Sequence, residues 1–382
     1  MNALVRRGKS SLHNGHATAE KVIVTKSPWL RQSGYPAILS CLLMYSRLLL
    51  VIGSFLALPL AIWAQAPLTS AAPAPAITPT KYELPPEAYP KDDVPRGRLE
   101  GPFAFKSQVI PNTVRRYWIF VPAQYDAAKP ANLLVFHDGQ RATNPKGSLR
   151  VPQVLENMIH SKQIPVTLGV FVTPGNTGDV YPDNLGMSNP NHRAQEYDAM
   201  NDGYTRMLIE ELLPEVAKTY RFSDDPERRA IGGTSSGAIC AFSVAWNRPD
   251  QFRNVLSMIG SYVSIGYQPA MDGKPMVPGG DLYPTLIRKN PIKPLKVFLQ
   301  DGSNDLSNPH GNWFLANQQM LSALEWANEN ADKRALPGPR YRLNHVWGTG
   351  GHSDDHGGSL LPDMLRWIWG EGAGSSGAAT AP

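Results

Sequence analysis

The chain has 382 residues, 42% of them hydrophobic, enough for one large or two modest folded domains. Its 37 Lys/Arg and 32 Asp/Glu give a net charge of +5, but seven of the basic residues and one of the acidic ones fall within the first 66 positions. The rest of the chain holds 30 basic and 31 acidic residues, so charge gives no support to a nucleic-acid partner.

Residues 48–64 form an almost uncharged run, LLLVIGSFLALPLAIWA, preceded by Met44-Tyr45-Ser46-Arg47 and followed by Ala64-Gln65-Ala66. A short basic start, an apolar run and a small-x-small end read as a secretory signal peptide over 44–66, with cleavage expected after Ala66. Pro59 and the Ala-x-Ala end argue against an uncleaved anchor, so no stable membrane span is expected after cleavage. Translation is then expected to start at Met44, and residues 1–43 read as a start-site artefact or unstructured leader. The destination is export, to a periplasm or beyond. Cys41 precedes this start, which leaves Cys240 alone in the exported chain, without an internal disulfide and expected in the core. Residues 67–96 are rich in Ala, Pro and Thr and read as a disordered linker, and 372–382 as a disordered tail. One folded domain is expected over 97–371, with no internal repeat.

Within it, 103–110 and 115–121 read as an opening antiparallel pair, 132–137 (NLLVFH) as a buried strand, 151–161 as a helix and 166–172 (VTLGVFV) as a second buried strand. Residues 196–220 have the pattern of one long amphipathic helix. A strand at 229–232, an apolar helix from Ala238, and strands at 254–258, 296–300 and 341–346 follow, with helices at 312–329 and 360–369. Apolar strands separated by helices mean an α/β fold, a mainly parallel central sheet covered on both faces, as in α/β-hydrolases.

Gly233-Thr234-Ser235-Ser236-Gly237 is a G-x-S-x-G pentapeptide at the strand-to-helix turn. That setting lifts a serine hydroxyl above the sheet as a nucleophile, and glycines are needed where the chain passes close to itself. A serine nucleophile needs a base, an orienting acid and an oxyanion hole, here in the chain order Ser, acid, His. The base is expected after the last strand, in Gly350-Gly351-His352-Ser353-Asp354-Asp355-His356-Gly357-Gly358. His352 is preferred because Gly350-Gly351 let its loop approach the serine, and His356 is the alternate. The acid lies in Asp301-Gly302-Ser303-Asn304-Asp305. Asp305, deeper in the loop, is preferred to Asp301, where a turn aspartate often bonds its own backbone. The oxyanion donors are the N–H of Ser236 and, from His137-Asp138-Gly139-Gln140, that of Gln140, with Gly139 as alternate. His137 and Asp138 are expected to shape this loop.

The segments Arg193…Glu196-Tyr197-Asp198, Glu211-Leu212-Leu213-Pro214, GGTSSGAICAF, AWNRPDQF, LQDGSNDL and GGHSDDHGG together resemble the esterase-D-like family, which contains enterochelin (siderophore) esterases and feruloyl esterases of the carbohydrate-esterase type. The resemblance covers nearly all of 97–371. It implies a serine esterase in which Ser235 matches the nucleophile, Asp305 the acid of the G-[ST]-N-D block and His352 the histidine of the G-G-H block. The family usually has an aromatic residue shortly after that histidine. Here Ser-Asp-Asp-His-Gly-Gly follows, so the resemblance alone implies neither substrate class.

His352-x-x-x-His356 has the spacing of a helical zinc pair, but the flanking Gly350, Gly351, Gly357 and Gly358 speak against a helix, and no metal is expected. Arg193, Asn312 and Trp313 are weaker candidates for the substrate pocket. The expected activity is hydrolysis of a carboxylic ester, with no cofactor, on an acetyl or feruloyl ester of a polysaccharide. A siderophore ester, acyl transfer to a sugar on the same site, and a non-catalytic carbohydrate-binding module are the alternatives. Oligomeric state is left open by the sequence.

Overall fold

The computed structural model describes residues 80–370. The expected leader and signal peptide, the linker up to residue 79 and the 372–382 tail lie outside the described residues.

The strands are β1 (Arg98–Lys106), β2 (Thr113–Val121), β3 (Asn132–His137), β4 (Thr167–Val172), β5 (Arg229–Thr234), β6 (Asn254–Met258), β7 (Lys296–Gly302) and β8 (Arg342–Gly348). They lie in the order β1-β2-β4-β3-β5-β6-β7-β8, and a short strand, Asn176–Thr177, pairs with β2 to complete a nine-stranded sheet. β2 is antiparallel to β1 and β4, and every pairing from β4 to β8 is parallel. β3 shows why both faces must be covered. Leu133 and Val135 belong to one core cluster, Leu134 and Phe136 to the other, and all four are fully buried.

The helices are α1 (Gly139–Ala142), α2 (Val151–His160), α3 (Arg193–Tyr197), α4 (Gly203–Arg206), α5 (Leu213–Ala217), α6 (Ser236–Asn247), α7 (Tyr283–Lys289), α8 (Trp313–Lys333) and α9 (Asp354–Trp369). Val154, Leu155 and Met158 of α2 and Leu361 and Leu365 of α9 cover one face. Phe242 of α6 and Met320 and Leu324 of α8 help cover the other. Cys240 is a buried free thiol in that second layer.

Several elements depart from the sequence reading. β1 begins earlier than 103 and stops before 110. After Lys106 the Glu211 carboxylate takes the N–H groups of Gln108 and Val109 and the Ser107 hydroxyl, in place of ladder bonds. The single helix over 196–220 is broken. Asn201 Oδ1 accepts the Gly203 N–H and starts a new helix there, and Met207–Leu212 is a π-helical turn leading into α5. Pro214 has no N–H for the carbonyl four residues earlier, which favours the longer π spacing just ahead of it. α7 lies in a stretch left unassigned from sequence. α9 starts at Asp354, not 360, with the Ser353 side chain accepting the Asp355 N–H. Gly357 and Gly358 are therefore helical, not loop residues. They serve packing, because a Cβ on Gly358 would lie 2.1 Å from the Ser148 carbonyl oxygen and one on Gly357 2.6 Å from Met258 Sδ.

The described part of the expected linker, 80–96, is also not a free tether. Ala88 and Val94 are buried, and Asn157 Nδ2 donates to the carbonyls of Glu87 (2.7 Å) and Tyr89 (2.8 Å). The Tyr82 ring stacks on His356 at 4.0 Å, and its hydroxyl accepts the Thr349 N–H at 3.0 Å. Apolar side chains spaced among the prolines find cover on α2 and α9.

Candidate active site

β5 ends at Thr234 and α6 begins at Ser236, so Ser235 stands alone in the turn. Its backbone (φ 59°, ψ −124°) is one that a non-glycine residue adopts only under constraint. The constraint is visible. The Ser235 N–H donates to the Met258 carbonyl at 3.0 Å, and its carbonyl accepts from Ser261 at 3.2 Å. A Cβ on Gly233 would lie 2.6 Å from the backbone of Gly237, so the tight turn requires glycine there.

Ser235 Oγ lies 2.9 Å from His352 Nε2, and His352 Nδ1 lies 2.5 Å from Asp305 Oδ1. The Asp305 side chain is fully buried, while the His352 side chain keeps 23% exposure. Backbone bonds knit the two loops together. Ser303 N–H donates to Gly348, Asn304 N–H to Gly350, and Asn304 Nδ2 to the Thr349 carbonyl at 2.7 Å. The edge of Trp313 meets the His352 ring at 5.7 Å.

The alternates have other roles. His356 is buried in the first turns of α9, where Gln300 Nε2 donates to its Nδ1 at 2.7 Å. Burial pushes it down to about 4, so it is neutral at pH 7 and fills space beneath Tyr82. Asp301 is fully buried behind Asp305. Its Oδ1 accepts the Gly302 N–H at 2.6 Å, the local backbone bond expected of a turn aspartate, although β7 extends through it.

Two helix starts lie side by side at the serine. Ser236 opens α6 and Gln140 is the second residue of α1, positions whose N–H groups have no partner inside their own helices. Burial pushes His137 down to about 4, so the neutral ring donates from Nδ1 to the Gly237 carbonyl at 2.7 Å and ties β3 to the first turn of α6. Asp138 has a left-handed backbone (φ 52°), and Arg193 grips its carboxylate with two bonds of 3.0 and 2.7 Å.

Arg193, expected at the substrate pocket, holds the Asp138 loop that carries Gln140. Asn312, also expected in the pocket, accepts the Leu315 N–H and caps α8. Trp313 is buried and donates from Nε1 to Ser261 Oγ at 3.0 Å. Gln140 has a second feature. Its side-chain amide is buried with neither polar atom bonded, and it borders a cavity of about 260 Å³ lined also by Arg116, Trp118, Tyr181 and Met187.

Two residues at the site escaped the sequence reading. Ser261 Oγ lies 3.1 Å from Ser235 Oγ, on a loop after β6 that carries no motif. Asp198 is a buried carboxyl beside Ser236, pushed up to about 6 by burial against the pull of the Ser236 hydroxyl and Arg193. It stood inside a segment that carried the family resemblance, but nothing in its spacing placed it at the nucleophile turn. Among the described residues no group of three or more His, Cys, Asp or Glu side chains is arranged to hold a metal ion.

The sheet order, the strained serine after β5 and the loops beyond β7 and β8 define an α/β-hydrolase. Residues 107–359 match the family model for putative esterases, and the chain belongs to that family. It is 30% identical over 158 residues to the iron(III) enterobactin esterase of Escherichia coli O6:H1 (strain CFT073), covering 41% of this chain and 35% of that one. It is 29% identical over 163 residues to that of Dickeya dadantii (strain 3937), covering 42% and 33%. The aligned regions thus span about a third of these relatives' length. Among solved structures, the enterochelin esterase of Shigella flexneri superposes with a TM-score of 0.53 at 23% identity, over 75% of this chain and 61% of that one. A ferulic acid esterase from the anaerobic fungus Anaeromyces mucronatus gives 0.52 at 15% identity, over 75% and 97%. At these identities the likeness is one of fold.

Proposed function

We propose that the chain is an exported serine esterase that cleaves a carboxylic ester through an acyl-enzyme. The observation that carries this is the unbroken run of hydrogen bonds from Ser235 Oγ through His352 to Asp305. His352 Nε2 takes the hydroxyl proton as Ser235 attacks the carbonyl carbon. Asp305 holds the imidazole orientation and stabilises its cationic form. The N–H groups of Ser236 and Gln140 receive the developing oxyanion, preorganised by the His137 and Asp138–Arg193 ties. His352 then protonates the departing alcohol, and a water activated by the same nitrogen releases the acid. No cofactor takes part.

An acetyl or feruloyl ester on carbohydrate is the proposed substrate class. The cavity beside Gln140 supports an acyl group with a ring, since Trp118 lines it, while Arg116 lies over the buried Tyr181 ring at 4.6 Å. The named relatives favour a second reading, hydrolysis of a catecholate siderophore ester. Export rests on the signal-peptide pattern of 44–66 alone.

The test is turnover of p-nitrophenyl acetate, methyl ferulate, acetylated xylan and enterobactin by residues 67–382 and by Ser235→Ala. Loss of at least about a thousandfold in kcat in the variant is expected. Equal rates in both proteins overturn the mechanism, and the ranking of the four esters chooses between the substrate classes.

A further inference from the structure

Asp305 has two oxygens and an uneven set of partners. Oδ1 takes the His352 Nδ1–H and the Leu306 N–H, both at 2.5 Å. Oδ2 is equally buried and has no hydrogen-bond partner among the protein's ordinary donors. A carboxylate oxygen in that position is costly unless a proton reaches it.

The group next to it is Asp301. A turn closed by the Asp305 N–H on the Gly302 carbonyl (3.0 Å) separates the two residues, and Asp301 is itself fully buried, with its carboxyl in hydrogen-bonding reach of Asp305. The Asp301 oxygens accept from the Gly302 N–H (2.6 Å) and from Asn317 Nδ2 (2.7 Å). Asn317 Nδ2 also faces the Gly260 carbonyl (2.8 Å) and the Trp313 carbonyl (3.0 Å), both already served by backbone N–H groups, that of Tyr262 (2.9 Å) and, within α8, that of Asn317 itself. A proton on Asp301 supplies the donor that the buried Asp305 Oδ2 lacks.

We propose that Asp301 is held as the neutral acid and donates its carboxyl proton to Asp305 Oδ2, making it a positioning residue that fixes the acid of the relay through its second oxygen. The pair then carries a single negative charge, directed at His352. The groups facing Asp301 agree. Asp305 lies across the turn with His352 beyond it, α8 presents the uncharged Asn317, and β8 runs alongside with Trp347 in register. Burial first, then the hydrogen bond and repulsion from Asp305, push the Asp301 carboxyl up to about 9. The inference rests on the reading of Asp305 as the orienting acid.

Asp301→Asn and Asp301→Ala test it in full-length domain protein, beside Ser235→Ala as control. Asparagine keeps a neutral donor, and Asn317 retains two acceptors for its two hydrogens. Expected for Asp301→Asn are kcat/KM within about threefold of the parent and an unmoved acid limb of the pH–rate profile. The parent's alkaline loss near pH 9, where Asp301 ionises, disappears in this variant. Its infrared spectrum at pH 7 also lacks the protonated-carboxyl stretch of the parent. Asp301→Ala, with no donor, is expected to lose about tenfold or more in kcat.

If Asp301 is ionised, Asp301→Asn removes a negative charge near His352, its acid limb moves roughly one unit lower, and the spectra match. That result overturns the proposal, as does parental behaviour in both variants. Should the alanine variant fail to fold, the asparagine profile and spectrum decide alone. Activity surviving Ser235→Ala sinks the serine mechanism instead, which separates the two failures.

Discussion

The loop leaving β8 and the first turns of α9 each carry a histidine, one helical turn apart in sequence, and the two meet opposite fates. His352 keeps part of its surface in water and has a carboxylate on one nitrogen and a hydroxyl on the other. His356 is sealed between Tyr82 and Gln300, with an amide on one nitrogen and no carboxylate partner. The residue type is the same, and so is the glycine-rich setting. What differs is the neighbour supplied by chain segments far away: the Asp305 loop for one, residues 80–84 for the other. The proposed role of His352 as base draws on that charge and access, and the same ring without them is packing material.

Substitutions can break this comparison, starting with the largest effect. His352→Ala is expected to lower kcat by about 10⁴ or more, since the proton of Ser235 then has nowhere to go. Asp305→Ala should cost about 10³ to 10⁴, because the imidazole loses both its tautomer control and its counter-charge. Single-turnover kinetics on p-nitrophenyl acetate measure both. Equal activity of His352→Ala and parent, with loss in His356→Gln, inverts the assignment.

Arg193→Ala sharpens the comparison at a distance from the reacting atoms. With Asp138 released, the Gln140 N–H loses its fixed aim, and a fall in kcat of about tenfold to a hundredfold with little change in KM is expected. A rise in KM alone would place Arg193 in substrate binding instead.

His356→Gln is the smallest perturbation of turnover and the clearest one of stability. His356 titrates at about 4 in the fold against an ordinary 6.5. The unfolded chain therefore binds the proton first as pH drops, so this contribution is complete above 6.5 and lost progressively toward 4. Thermal melting should fall across that window in the parent, and a few degrees less steeply in His356→Gln. The residual slope combines His137, which shifts in the same direction, with Asp198, whose raised carboxyl adds stability as pH falls below about 6 and opposes it. An unchanged slope removes His356 from the acid sensitivity.

The sequence was most readable where local chemistry and global fold demand the same residues. The pentapeptide around Ser235 declares its strand, its turn and its helix because each needs a glycine or a small residue at a fixed place. The buried parallel strands were equally plain, being short, apolar and bounded by turns. Legibility failed where distant partners decide. Asp198 and Ser261 are ordinary polar residues in sequence and come to Ser235 only through the folding of α3 and the loop after β6. The flanking glycines of His356 looked like loop signals. Gly357 and Gly358 lie inside α9 instead, and they are glycine because Met258 and Ser148 leave no room for a Cβ, which no local pattern encodes. The ion pair of Arg193 was hidden because the carboxylate it binds lies 55 positions away.

The segment ahead of β1 has a practical consequence. Tyr82 joins Thr349, at the root of the His352 loop, to a stretch that composition alone would discard as spacer. Trimming the chain at residue 97 leaves every strand of the sheet in place and removes the clasp on that loop. Choosing where to cut the protein, whether by a protease or on the bench, is therefore also choosing whether the His352 loop keeps its Tyr82 contact.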